Sequence, residues 1–104
     1  MKILPEPIFF EWDKGNIDKN LVKHNVANRE AEEVFENDPK FIFRDEKHSQ
    51  KEERYGLYGR TKAERLLFVV FTITKDKVRV ISARNMSKKE RRVYEEKIKT
   101  YPKI

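Results

Sequence analysis

Leu66-Leu67-Phe68-Val69-Val70-Phe71-Thr72-Ile73 is followed by Thr74-Lys75-Asp76-Lys77 and then by Val78-Arg79-Val80-Ile81-Ser82-Ala83-Arg84. The first run is almost wholly apolar, with Val and Phe dominant, which fits a central strand covered on both faces. The four polar residues fit a hairpin turn, although the favoured glycine is missing. In the third run Val78, Val80 and Ser82 alternate with Arg79, Ile81 and Ala83. Arg79 and Arg84 therefore point to opposite faces of the strand unless a bulge intervenes. Just upstream, Glu53-Arg54-Tyr55-Gly56-Leu57-Tyr58-Gly59-Arg60 reads as a further strand. The first and last of these three consecutive strands thus set arginine beside apolar residues. Rigid guanidinium forks suit phosphate, so a polyanion is the expected ligand, with RNA the first candidate.

Working outward, Ser87-Lys88-Lys89-Glu90 is a capping-box sequence that opens a basic helix. In that helix Tyr94, Ile98 and Tyr101, with Val93 on their flank, form the stripe expected to dock on the sheet, and Pro102 ends it. Towards the N-terminus, Phe9-Phe10-Glu11-Trp12 is strand-like and Asp13 is a good N-cap residue. From Lys14 to about His24, Ile17 and Leu21 recur at a four-residue step, which predicts a short amphipathic helix with those two residues inward. Asn28 caps a second helix in which Ala31, Val34 and Phe35 share a face, and Asp38-Pro39 stops it. Phe41-Ile42-Phe43 is a strand, and the polar stretch Asp45 to Glu53 a loop. The resulting order is β-α-α-β-β-β-β-α. It describes a single α+β domain over residues 1–104, with an antiparallel sheet of about four to five strands, two N-terminal helices and one C-terminal helix.

Composition narrows the function. Charged residues make up 40% of the 104 and mean hydropathy is −0.89, so the apolar residues must be concentrated in a few elements around one core. Seven Phe, four Tyr and one Trp argue against disorder. The absence of cysteine excludes disulfides and thiolate metal sites. The two histidines have no metal-ligand spacing, and neither a metal nor another cofactor is expected. No signal peptide or membrane span is legible, so a cytoplasmic location and no membrane partner are expected. Residues 1–53 carry 9 Lys/Arg against 13 Asp/Glu, whereas residues 54–104 carry 15 against 5. A one-sided field of this kind steers an anionic partner, nucleic acid or acidic protein alike.

The chain resembles the BrnT family of toxins over about residues 9–96. The resemblance rests on Phe10-Glu11-Trp12-Asp13, Asn20-x-x-Lys23-His24-Asn25-Val26, Glu33-Val34-Phe35, His48-Ser49, Glu53-Arg54-Tyr55 and Gly59. It continues through the strand Leu66 to Thr72, Arg79 to Arg84, Glu90-Arg91 and Tyr94. One departure is Asn25, where the family pattern has glycine. The resemblance implies a RelE-like fold and a metal-independent endoribonuclease that cuts mRNA and inhibits translation. It also implies a cognate BrnA-like antitoxin with a ribbon-helix-helix DNA-binding part, through which alone the complex would reach operator DNA.

Cleavage by the RNA's own 2′-OH requires a group to take that proton, a group to protonate the 5′ oxygen, and cations around the phosphorane. Arg54, Arg79 and Arg84 are the expected clamp, and Lys23, Arg60, Lys88 and Arg91 the expected contacts to the RNA backbone. His24 is the natural acid or base, although a histidine at a helix C-terminus also serves simply to cap carbonyls. Glu53 and His48 are further acid–base candidates, although pairing with a neighbour is the favoured reading for Glu53. The alternative to an enzyme is a non-catalytic module that grips RNA or an acidic protein with the same sheet.

Overall fold

A computed structural model describes residues 3–48 and 51–100, with the backbone alone at His48. The elements are α1 (Lys19–His24), α2 (Asn28–Glu36), β1 (Phe41–Arg44), a 3-10 turn (Glu46–His48), β2 (Tyr55–Arg60), β3 (Leu66–Thr74), β4 (Lys77–Asn85) and α3 (Lys88–Lys99). The four strands form one antiparallel sheet in the order β1-β2-β3-β4. The class is therefore α+β, as expected. No helix among the described residues is long and apolar enough to cross a membrane.

One face of the sheet is the core. Leu57, Leu67, Val69, Phe71, Val78, Val80 and Ala83 are buried there against Val26, Ala31, Val34 and Phe35 of α2 and its approach. Phe35 makes edge-to-face contacts with Phe10 at 5.3 Å and Phe71 at 4.9 Å. Helix α2 can sit this close because Gly59 has no side chain. A Cβ there would come within 3.2 Å of the Val34 Cβ and 3.3 Å of its carbonyl oxygen.

The hairpin between β3 and β4 turns without glycine. Lys75 and Asp76 both take left-handed backbone, with φ of 52° and 62°, the geometry of a type I′ turn. Ser87 and Glu90 close the capping box of α3, the Ser87 hydroxyl accepting from the Glu90 N–H at 3.2 Å and Glu90 Oε1 accepting from the Ser87 N–H at 2.9 Å. Tyr94 is buried, donates its hydroxyl to Pro39 O at 2.7 Å and packs edge-to-face on Phe41. Tyr101 and Pro102 lie outside the described residues.

Three local expectations are corrected. Phe9 to Trp12 contributes a single parallel bridge, Phe10 to Val78, rather than a full strand. Helix α2 begins at Asn28 itself, with Glu30 accepting from the Ala27 N–H, while the Asn28 side chain bonds Asp18. The third correction concerns α1, whose burial is inverted. It starts at Lys19 rather than Lys14, and Asn20 is its buried residue, whereas Leu21, Val22 and Ile17 of the preceding turn are 44%, 85% and 47% exposed.

The inversion has a physical cause. Strand β4 is an outer strand, and its unpaired backbone groups need partners. Asn20 Oδ1 accepts from the Ala83 N–H at 3.0 Å, and Asn16 Nδ2 donates to Val80 O at 3.1 Å. The segment leading into α1 thus covers the β4 edge with amides, which leaves its aliphatic residues outside. Helix α1 ends at Asn25, whose φ of 56° is left-handed, a backbone that asparagine tolerates better than most residues.

Candidate nucleic-acid interface

The second face of the sheet is only partly covered, α3 lying over one end. Its side chains follow from the register in three rows. Phe41, Tyr58, Phe68 and Arg84 form one row, and Phe43, Gly56, Val70 and Ser82 the next. In the third, Thr72 pairs with Arg79 while its hydroxyl donates to Glu53 O beside Arg54, whose own carbonyl accepts from the Asp45 N–H. Arg79 and Arg84 share this face because β4 carries one extra residue. Val70 pairs with Ser82 but Phe71 pairs with Val80, so Ile81 is bulged and the alternation resets. The outer rows are four residues apart along β3, or about 13 Å. The arginines therefore bracket the middle of the face rather than converge on one point.

Between them lies a groove of about 470 Å³ whose lining includes Phe43, Asp45, Arg54, Tyr58, Phe68 and Ser82. That volume is in the range of small-ligand sites. Arg84 stacks its guanidinium 4.8 Å above the Phe68 ring. It also donates to both Glu90 oxygens, at 2.7 and 2.9 Å. This pairing raises the Arg84 pKa and holds the Glu90 carboxyl below its usual value, with the Ser87 N–H adding to the effect against an opposing contribution from burial. Arg79 clasps Asp13 with two hydrogen bonds, at 2.7 and 2.9 Å, and touches Glu11 at 3.2 Å. The Arg79 hydrogen bonds lower the Asp13 pKa. Arg54 lies 3.6 Å from Glu52. Burial, then the Glu90 charge, pushes the Tyr58 phenol above its ordinary pKa against a smaller pull from Arg84, so it stays protonated at neutral pH.

The other sequence candidates fall elsewhere. Arg60 shares the groove face, but its guanidinium is spent on Asp38 O, at 3.0 and 3.2 Å. Lys23 and His24 are exposed at the end of α1, beyond the β4 edge, and Lys88 and Arg91 lie on the first turns of α3. Glu53 accepts from the Tyr55 hydroxyl at 2.8 Å, and Tyr55 stacks on Phe71 of the core face, so Glu53 points away from the groove. The His48 side chain lies outside the described residues.

Sequence reasoning missed Asp45, Phe43, Tyr58 and Phe68 as groove residues. One signal was available, since a glycine inside a strand marks a close approach, and Gly56 lies under the Phe43 ring. It also missed Arg65, which ties three elements together by donating to Asn25 O, Glu30 and Asn85 Oδ1.

Fold and face together define a small α+β protein with an open, cationic sheet surface floored by aromatic rings. The model of a family described as the ribonuclease toxin BrnT of type II toxin–antitoxin systems matches residues 12–90, and the chain belongs to that family. Membership brings an RNA substrate and an antitoxin partner. A search of curated proteins finds no significant match to the chain.

Proposed function

We propose that the protein is an endoribonuclease that cuts single-stranded mRNA on the open sheet face, by attack of the 2′-OH on the adjacent phosphorus and without a metal. The observation that carries the reading is the bulge at Ile81, which puts Arg79 and Arg84 on the same sheet face as the groove that Arg54 lines. In the reaction the 2′ oxygen bonds to phosphorus and the bond from phosphorus to the 5′ oxygen breaks. The products are a 2′,3′-cyclic phosphate and a 5′-hydroxyl. Arg54 and Arg84 stabilise the charge that builds on the phosphorane, and Arg79 lies in reserve behind Asp13. Asp45 and the protonated Tyr58 are the groove's proton-transfer groups, while His24 and Lys23 extend the basic rim past β4. Lys88 and Arg91 carry the RNA backbone along α3. Translation falls as mRNA is cut in the cytoplasm, until a ribbon-helix-helix antitoxin covers the face.

Purified protein should cleave single-stranded RNA in EDTA. Arg84→Ala and Arg54→Ala should each lose about 10²–10³ in rate with unchanged circular dichroism, the loss typical of one preorganised donor. Intact RNA after incubation with the wild-type protein would sink this reading.

A second reading is favoured by the carboxylates that already engage the arginines. A surface balanced in this way could bind RNA, or an acidic partner, without cutting it. That reading requires salt-sensitive RNA binding with no cleaved product.

A further inference from the structure

The groove floor is a cluster of three rings. Phe43 and Tyr58 have centroids 5.4 Å apart, Tyr58 and Phe68 5.3 Å, and Phe43 and Phe68 6.2 Å with planes within 9° of each other. Phe43 remains 40% exposed although it lies on a strand with an available core face. Its position is built rather than incidental. Gly56, its cross-strand partner, has no side chain, and a Cβ there would stand 2.7 Å from ring atom Cε2 and 2.8 Å from Cε1. The ring can lie along the sheet only because residue 56 is glycine. The Phe68 ring already accepts one flat cationic group, the Arg84 guanidinium.

We propose that Phe43, Tyr58 and Phe68 form a subsite for one unstacked nucleobase of single-stranded RNA, with Arg54 and Arg84 holding backbone phosphates on its two sides. The proposal rests on the ribonuclease reading and adds to it the part of the substrate that the rings contact. Aromatic faces attract bases of any sequence, because every base has a π-face, and the flanking guanidinium groups supply the charge that draws the backbone in. A duplex keeps its bases stacked inside and cannot offer one to the groove. Ser82 also lines the groove, and its hydroxyl is a donor and acceptor for base-edge groups.

The test uses the whole chain and a fluorescent 2′-O-methyl oligoribonucleotide, which cannot be cut because its nucleophile is blocked. The same oligonucleotide is then made with one abasic residue at each position in turn, which removes a base and leaves every phosphate. Anisotropy titration of the wild-type protein should show one position where the abasic change weakens binding about 5- to 150-fold, equivalent to about 1–3 kcal/mol of stacking. Phe43→Ala should weaken the intact probe by a similar factor and erase the difference between intact and abasic probes. Phe43→Leu retains apolar volume without the π-face, and should do the same while melting at the wild-type temperature. Equal binding of intact and abasic probes by a wild-type protein that still cuts RNA would overturn the subsite and leave the nuclease reading standing. Phe43 variants that lose antitoxin affinity but keep RNA affinity would also overturn it, and would assign the rings to a protein partner. A wild-type protein that neither binds nor cuts RNA would overturn both readings together.

Discussion

Replacing Glu90 by glutamine separates the two tasks that this side chain performs. Glu90 accepts the Ser87 N–H in the capping box and both Arg84 hydrogen bonds. Glutamine keeps the cap, because its amide oxygen accepts the same N–H, but removes the charge that holds Arg84. Hydrogen bonds to charged groups contribute about 1.5–3 kcal/mol when shielded. The Arg84 side chain is 37% exposed, and solvent screening moves the pair towards the lower value of surface pairs. A loss of about 1 kcal/mol is therefore expected, or a fall of about 4–8 °C in Tm for a domain of this size. Glu90→Ala should fall roughly twice as far, since it also loses the cap. RNA affinity should move the other way. With its carboxylate gone, Arg84 is available to phosphate, and a gain of about 1 kcal/mol is roughly fivefold in Kd.

The dependence on pH gives an internal check. The Glu90 pKa is depressed below 4.5 in the folded protein. Its stabilising contribution is therefore complete above about pH 4.5 and disappears as pH falls through the lower folded value. The stability gap between wild type and Glu90→Gln should close in that acid window. Thermal melts by circular dichroism and anisotropy with the uncleavable oligonucleotide measure both quantities. A Glu90→Gln protein that is less stable yet binds RNA no better than wild type would refute the view that Arg84 is a phosphate ligand held by its own helix.

Phe35→Ala should cost about 3–5 kcal/mol in chemical denaturation, because a fully buried ring with two edge-to-face partners leaves a cavity. Asn20→Ala should cost about 1–3 kcal/mol, since it strips the Ala83 N–H of its partner at the buried edge of β4. Leu21→Lys and Val22→Lys should each stay within about 0.5 kcal/mol of wild type, because both side chains already face water. If Leu21→Lys instead unfolded the protein, α1 would be packed by its aliphatic side, as simple periodicity suggests.

Much of the architecture was legible because local signals agreed with one another. The uninterrupted run at Leu66, the polar turn at Thr74, the capping box at Ser87 and the Asp38-Pro39 stop each fix an element without reference to distant residues. Helix α1 was misread for a reason intrinsic to periodicity, which assumes that burial means apolar packing. Here the buried surface is a strand edge, whose demand is for hydrogen bonds, and Asn16 and Asn20 meet it better than Ile17 or Leu21 could. The carboxylate partners of Arg79 were equally hidden. Asp13 and Glu11 lie some 66 and 68 residues from Arg79 in sequence, and only the path of the N-terminal segment along β4 brings them together.

The bulge at Ile81 is the step on which the proposed site depends and which the sequence marks least. A strand that alternates without interruption from Arg79 to Arg84 would send one guanidinium into the core face, among Val69, Val80 and Ala83, where an unpaired charge is prohibitive. Val78 and Val80 demand burial at one end of β4, and Ala83 demands it at the other. These positions differ in parity, so the strand satisfies both ends only by adding a residue between them. Core packing thus forces the irregularity, and the irregularity places both arginines outside. The arginine-bearing face follows from the burial requirements of three small apolar residues on the opposite side of the sheet: Val78, Val80 and Ala83.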